Sequence, residues 1–409
     1  MAKYNKVKNN SNTAIAPSKK SNLKILSILT VSNLTFWLIS INNIGYNFVK
    51  SLTGNGRFSD FTMAIFYNPI FFDPELLTRE PPFDYAMTPA LAVFYRLIDP
   101  ANWLITLIFL NILSIVAFTS VIRKLVTVDK LYLLLLINCF PIFFCVMRGG
   151  ADLWLLVITS KILLELQNKK KYSPGLLLGL LMAFKPHFAV FGLVFLLRRD
   201  FRAIVLTFVS FITCFIGSLL ILGKHSLAQQ IYVIAGLSKN YQNTSAVGDG
   251  GLMWDNGLVG LQKIFYYTLF QPSNQEAINF GQVAIIIQAL IAVLLLVPLS
   301  YLVAKKKIDL VESWLLSTLM LIFASPVSAS YRLVFFIPLL IIYFYTMRSK
   351  LITYMLLLLM LPKCIIWVKT SNGHEFVGDS LINPLILMSI YGVLLSSKFF
   401  TKEKRSLTK

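Results

Sequence analysis

The stretch from Phe280 to Val303, FGQVAIIIQALIAVLLLVPLSYLV, has no charged residue and is followed at once by Lys305-Lys306-Lys307. A helix needs about 20 apolar residues to cross the hydrocarbon of a bilayer. Inside that hydrocarbon the backbone polar groups must be satisfied within the segment, which selects the α-helix. The rest of the chain has the same character: 409 residues, 56% hydrophobic and 14% charged, with mean hydropathy +0.71. The expectation is an all-α polytopic membrane protein.

A window of about 19 residues picks out further segments. With the first they lie at 23–44, 101–122, 130–147, 152–168, 173–185, 187–197, 203–222, 280–303, 310–325, 331–347, 351–368 and 380–398. That makes about twelve transmembrane helices, several shorter than the ~20 residues of a full span. The pair within 173–197 reads as a bent hairpin. Residues 88–98 read as a short helix that enters the membrane without crossing it, ended by Asp99-Pro100. Residues 1–22 form a disordered basic cytoplasmic arm without a cleavable signal, 23–398 a single transmembrane domain, and 399–409 a basic cytoplasmic tail. Two outer loops are long, at about 45–87 and about 223–279. The four cysteines fall in apolar segments and read as packing residues.

The formal charge of +20 would suggest nucleic acid in a soluble protein. Here the basic residues sit in short runs beside apolar segments, and no nucleic-acid motif accompanies them. With the N-terminus inside, roughly 26 basic and 6 acidic residues fall on the inner side and roughly 12 of each on the outer side. The whole excess is therefore inner, as the positive-inside rule requires.

This topology brings the unusual polar groups to one face. Asp60 and the Asp73-Pro74-Glu75 triplet lie in the first outer loop. Arg148-Gly149-Gly150-Ala151-Asp152 forms an outer turn, and Lys185-Pro186-His187 the tip of the hairpin. Asp255-Asn256 lies in the second long loop. Ser325-Pro326-Val327-Ser328-Ala329-Ser330-Tyr331-Arg332 makes another outer turn. Each has a plainer reading: Asp60 as a loop carboxylate or N-cap, Lys185, Arg148 and Arg332 as interface anchors, His187 as a packing residue. Asp73 and Glu75 read as turn chemistry before metal ligands, so no cofactor is required, with a divalent metal left open.

The combination is more specific. One loop carboxylate faces three cations delivered by different helices, which suits a general base opposite a cradle for a phosphate leaving group. Ionisable residues are absent from mid-span, apart from Lys161 and Glu165, whose i,i+4 spacing lets them pair near the inner end. Ion-coupled transporters usually hold such groups at mid-depth, which counts against transport.

Several of these motifs resemble glycosyltransferase family 87, polytopic enzymes of the GT-C superfamily, over the span Ser59 to Pro338. Ser59-Asp60-Phe61 is similar to the family's catalytic aspartate region, and Pro81-Pro82-Phe83 to its Tyr-Pro-Pro turn, with Glu80 in place of the tyrosine. Pro174-Gly175-Leu176 to Lys185-Pro186, with Arg198-Arg199, is the most family-like stretch. Ser325-Pro326-Val327-Ser328 is similar to the family's Ser-Pro-x-Ser turn. The chain departs at Asp152, where the Gly-Gln-x-Asn turn has Asn; at Asp255-Asn256-Gly257-Leu258, for Asn-Gln-Ser-Leu; and at Ala329 and Tyr331, for Trp and His.

The resemblance implies transfer of a hexose, mannose in the family, from a polyprenyl-phosphate donor to a glycan or lipid acceptor on the outer face of the lipid bilayer. Asp60 would be the general base. Lys185, Arg332 and Arg148 would bind the donor phosphate, and Asp152, His187, Asp255, Asn256, Ser325, Ser328 and Tyr331 would contact substrate. An O-antigen or capsule polymerase, and a transporter or lipid flippase, are the alternatives.

Overall fold

The computed structural model describes residues 88–98, 100–129, 139–148, 151–222, 257–305, 308–325, 328, 330–346, 348–363, 367–369 and 375–399, with isolated residues 27, 30, 31 and 136. The N-terminal arm, the segment 23–44 apart from those isolated residues, the first long loop to residue 87 and the C-terminal tail from 400 lie outside them.

Helix α1, Pro89–Arg96, starts on Thr88, whose side chain accepts from the Leu91 N–H, with proline in the first turn where its missing N–H costs nothing. At about 12 Å this helix is too short to cross a bilayer. It is followed by α2 (Trp103–Leu125), α3 (Phe140–Arg148), α4 (Asp152–Gln167) and α5 (Ser173–Phe184). The chain reverses at Lys185 into a 3-10 turn, Pro186–Phe191, and α6, Gly192–Leu197. The expected bent hairpin is thus present. Lys185 is extended (φ −143°, ψ 104°), as the residue before a proline must be.

Next come α7 (Phe201–Leu222), α8 (Leu258–Phe270) and α9 (Asn274–Ala304). Helix α10, Leu310–Phe323, runs to the Ser325 turn, and a 3-10 segment, Ser330–Phe336, leads into α11, Ile337–Thr346. Then follow α12 (Lys350–Leu359), the antiparallel strands β1 (Trp367–Lys369) and β2 (Glu375–Val377), and α13 (Gly378–Phe399). In the strand pair Val368 faces Phe376.

Three expectations are corrected. The segment 351–368 is not one span: its helix stops at Leu359, and 367–369 pair as a strand. Pro362 explains the stop, because the residue before a proline is driven out of the helical region. The segment 331–347 opens as a 3-10 turn, and only its second half is α-helical. The second long loop contains α8, which buries Leu258, Val259, Ile264 and Tyr267 and ends at Gln271 in the left-handed region (φ 46°).

Among the described residues, four helices are long and apolar enough to cross a membrane: α2, α7, α9 and α13. They turn apolar side chains outward, among them Ile108 and Phe109 on α2, Phe208 and Ile212 on α7, and Ile286 and Leu290 on α9. Shorter helices fill the middle. From Ser313 to Phe323, α10 is buried on every side, as are residues 337–344 of α11. A helix that is apolar all round belongs inside a bundle or against lipid; here α10 and α11 lie inside, while α2, α7 and α9 expose apolar faces.

Helix α10 also defines two ends. At its start, Asp309 and Glu312 form a capping box. Arg348 pairs with Asp309, Lys398 lies 2.7 Å from Glu312, and the Tyr345 hydroxyl donates to Asp129 at 2.6 Å. The expected Lys161–Glu165 pair forms at 2.5 Å, and Ser173 Oγ donates to Glu165 at 2.8 Å.

Helices α5 and α7 cross with their backbones in close approach. A Cβ at Gly175 would stand 2.4 Å from the Ala203 carbonyl oxygen, and one at Gly179 would stand 2.3 Å from that of Thr207. Ser210 Oγ donates across the same interface to the Leu176 carbonyl at 2.8 Å. Two glycines four residues apart let membrane helices touch backbone to backbone. Gly217, farther along α7, has nothing within 4 Å of a built Cβ. Gly179→Ala should therefore cost about 1–3 kcal/mol through overpacking, read as a lower melting temperature in detergent. Gly217→Ala should leave melting unchanged or slightly raised, and equal losses at both positions would overturn the crossing.

Candidate active site

Away from the Asp309 end, helices stop within the bundle, and the carbonyls of their last turns need donors. Thr88 Oγ1 donates to the Phe184 carbonyl at 2.9 Å, tying the start of α1 to the end of α5. Phe94 packs on Trp154 (ring centroids 5.0 Å) and on Phe184 (6.3 Å), and Tyr95 also meets Trp154. Helix α1 is thereby fixed against the first turn of α4 and the last turn of α5.

Those two turns deliver a buried ion pair. Asp152 is the first residue of α4, where a negative charge is favoured by the helix dipole. Lys185 caps α5, and its Nζ lies 2.5 Å from Asp152 Oδ2, with the side chains 18% and 1% exposed respectively. Asp152 Oδ1 is enclosed and has no hydrogen-bond partner among the described residues. Two residues on, His187 stacks on Phe188 at 5.0 Å, and its Nε2 is enclosed and likewise unpartnered. Phe188, the ring it stacks on, in turn meets Phe335, three residues from Arg332.

Arg332 comes from the other side. It is buried, and its guanidinium Nη1 donates to Ser325 Oγ. Ser325 and Ser328 are buried with it. The turn is held by a residue that hydropathy does not single out: Gln288 on α9 donates its amide to the Phe323 carbonyl and, at 2.6 Å, to the Ser325 carbonyl. The signal was a lone amide in an apolar run, Ile287-Gln288-Ala289. Beneath the site an aromatic layer joins the halves: Phe188 meets Phe335 at 5.0 Å, and Phe191 meets Trp314 at 4.4 Å.

The structure thus brings Asp152, Lys185, His187, Ser325 and Arg332 together. Arg148 ends α3, which packs on the 330–336 turn; its side chain and that of Tyr331 are outside the described set. Asp60, Asp73, Glu75, Asp255 and Asn256 lie outside the described residues altogether.

A second polar group, absent from the sequence expectations, joins the loop before β1 to the start of α13. The Lys363 N–H donates to Asp379 Oδ1 at 3.2 Å, its Nζ donates to the Leu361 carbonyl at 2.8 Å, and Asn383 donates to Asp379 at 3.4 Å. These bonds close the backbone left open by Pro362 and read as structural.

Chemically, the first cluster offers fixed positive charge, a carboxylate and an imidazole at the ends of four apolar elements. Cations held in a water-poor site stabilise a developing anion far better than in water.

The profile of glycosyltransferase family 87 matches residues 81–326. The match opens on Pro81-Pro82 and closes within the Ser325 turn, taking in Asp152, Lys185 and His187. It is narrower than the expected span from Ser59 to Pro338, leaving Asp60 before it and Arg332 after it. No curated protein and no solved structure matches the chain. With well over half of the 409 residues covered, a helical bundle that carries spanning helices, and polar residues gathered at one end, the chain belongs to glycosyltransferase family 87 and is a membrane glycosyltransferase.

Proposed function

We propose that the enzyme moves a hexose, with mannose the family's sugar, from a polyprenyl-phosphate donor to a glycan or lipid acceptor on the outer face of the cell membrane. Both termini are then cytoplasmic and the single transmembrane domain spans 23–398. The observation that carries this proposal is that the half holding Lys185 on Asp152 packs, through Phe188 on Phe335, against the half holding Arg332 on Ser325, in a largely apolar bundle. A monophosphate on a lipid needs that combination: compact positive charge at the headgroup and hydrocarbon alongside. The outer location is supported by the basic residues, which gather at the Asp309 end of the bundle: Arg348 pairs there with Asp309, Lys398 with Glu312, and Arg198 feels Asp309. Nucleotide sugars are made inside, so a lipid-linked donor suits an outward site.

Transfer is inverting. The acceptor hydroxyl oxygen forms a bond to the anomeric carbon while the bond to the phosphate oxygen breaks. The hydroxyl proton goes to Asp60, and the bonding pair leaves on the phosphate, which Lys185, Arg332 and Arg148 stabilise. Asp60 is assigned from Ser59-Asp60-Phe61 and its place ahead of Pro81-Pro82. Asp152 orients Lys185; its second oxygen and His187 Nε2 are polar atoms that sugar hydroxyls can engage. Ser325, Ser328, Tyr331, Asp255 and Asn256 complete the proposed substrate contacts.

Radiolabelled polyprenyl-phosphate hexose and the purified protein test this directly: release of polyprenyl phosphate with labelled acceptor supports the transferase. Turnover only with lipid-diphosphate oligosaccharide would support a polymerase instead. A general base contributes ~10²–10⁴-fold, so Asp60→Asn should fold and insert normally yet lose at least about a hundredfold in transfer. Near-normal rates in that variant would remove Asp60 from the role.

The Asp152–Lys185 pair gives a second prediction, because structural and catalytic effects separate there. Lys185→Gln leaves a buried carboxylate uncompensated, which costs about 3–5 kcal/mol of stability. Adding Asp152→Asn should restore most of the melting temperature while transfer stays low. Recovery of transfer along with stability would make the pair purely structural.

A further inference from the structure

Gln288 lies in the apolar interior of α9, at 2% exposure. Such a position favours a hydrocarbon side chain unless the amide is fully used, since an unsatisfied buried amide costs more than its bond returns. Its Nε2 reaches the carbonyls of Phe323 and Ser325, 35 and 37 residues away in the chain. Both carbonyls stand where α10 has ended and no further helical turn can supply N–H groups. Pro326 follows directly and has no N–H to give.

Ser325 is used twice. Its backbone oxygen accepts from Gln288, and its side-chain oxygen accepts from Arg332. A fixed carbonyl fixes the peptide plane, which sets the direction of the Cα–Cβ bond and so the position of Oγ. We propose that Gln288 is a positioning residue for Arg332, acting through the Ser325 turn: the amide on α9 holds the turn, and the turn aims the guanidinium. The proposal rests on the phosphate-binding role suggested above only for its effect on catalysis. The positioning itself is a statement about three residues.

Gln288→Met keeps length and suits an apolar helix while removing the donor. Freed of its clamp, the turn shifts, and displacement of a catalytic group by about 1 Å costs on the order of a hundredfold; the expected loss in transfer is between ten- and a hundredfold. Loss of rate alone would fit a merely structural role, so the discriminating measurement is a cycle. Gln288→Met, Arg332→Gln and the double variant are compared in transfer from polyprenyl-phosphate hexose, and separately in thermal melting in detergent. Residues acting through one another are non-additive, so the double variant should be no slower than Arg332→Gln alone, and the melting losses should likewise fail to add. Ser325→Ala, which removes the hydroxyl that Arg332 uses and keeps the carbonyl that Gln288 uses, should abolish the coupling between the other two.

If wild type turns over the donor but the two losses multiply in rate and add in melting, the Gln288 inference is overturned. If wild type turns over no polyprenyl-phosphate hexose while the melting cycle still shows coupling, the donor assignment fails and the positioning contact stands.

Discussion

A helix that ends inside apolar surroundings leaves carbonyls that nothing in the hydrocarbon can satisfy, and this constraint organises the end of the molecule that carries the site. Helix α10 has 14 residues, about 21 Å at 1.5 Å per residue, well short of the ~30 Å hydrocarbon core. Helices α5, α11 and α12 are shorter still. Helices α5 and α10 close on side chains from other elements: Phe184 on Thr88, and Phe323 and Ser325 on Gln288. Polar residues are found there because helix ends buried in apolar surroundings need them.

The charges follow the same logic. Asp152 balances Lys185 at 2.5 Å, so a cation can be kept in a region where an isolated one would cost several kcal/mol. Arg332 is held by a neutral serine hydroxyl. Taken over Asp152, Lys185 and Arg332 the formal sum is +1, so the cluster as described favours an anion without repelling its own parts. The aromatic contacts below it are well-ordered filler: rings between 4.4 and 5.0 Å apart exclude water from beneath the charges, which strengthens every electrostatic interaction above them.

Much of this was legible in the sequence, and the reasons for success and failure are physical. Lys185-Pro186 identified the hairpin tip because a proline dictates the conformation of the residue before it. Lys161 and Glu165 were paired correctly because i,i+4 geometry is local. By contrast, hydropathy measures how apolar a segment is and not what covers it. It could not tell that residues 310–323 are enclosed by protein while 201–222 are largely exposed. It merged a 10-residue helix with a strand across Pro362, and it passed over α8, whose buried face includes Lys263. Gly175 and Gly179 carried a readable four-residue spacing, yet only the crossing with α7 explains it. Gln288 gave the weakest signal of all. Its partners are backbone carbonyls, which have no residue identity in a sequence.

The two cations are mounted on different bodies. Lys185 belongs to a group in which α5 is locked to α7 by the glycine crossing, to α1 through Thr88 and to α4 through Asp152. Arg332 belongs to a group in which α10 and the 330–336 turn are tied to α9 by Gln288. The groups meet through Phe188 on Phe335 and Phe191 on Trp314. Helix α4 also packs on the 330–336 turn, so the two groups share an interface of helix and ring contacts. Aromatic packing tolerates small slides at little cost, whereas a hydrogen-bonded ion pair does not. Each cation is therefore held by its own set of polar contacts, Lys185 by Asp152 and Arg332 by Ser325, in two groups that pack on each other through aromatic rings.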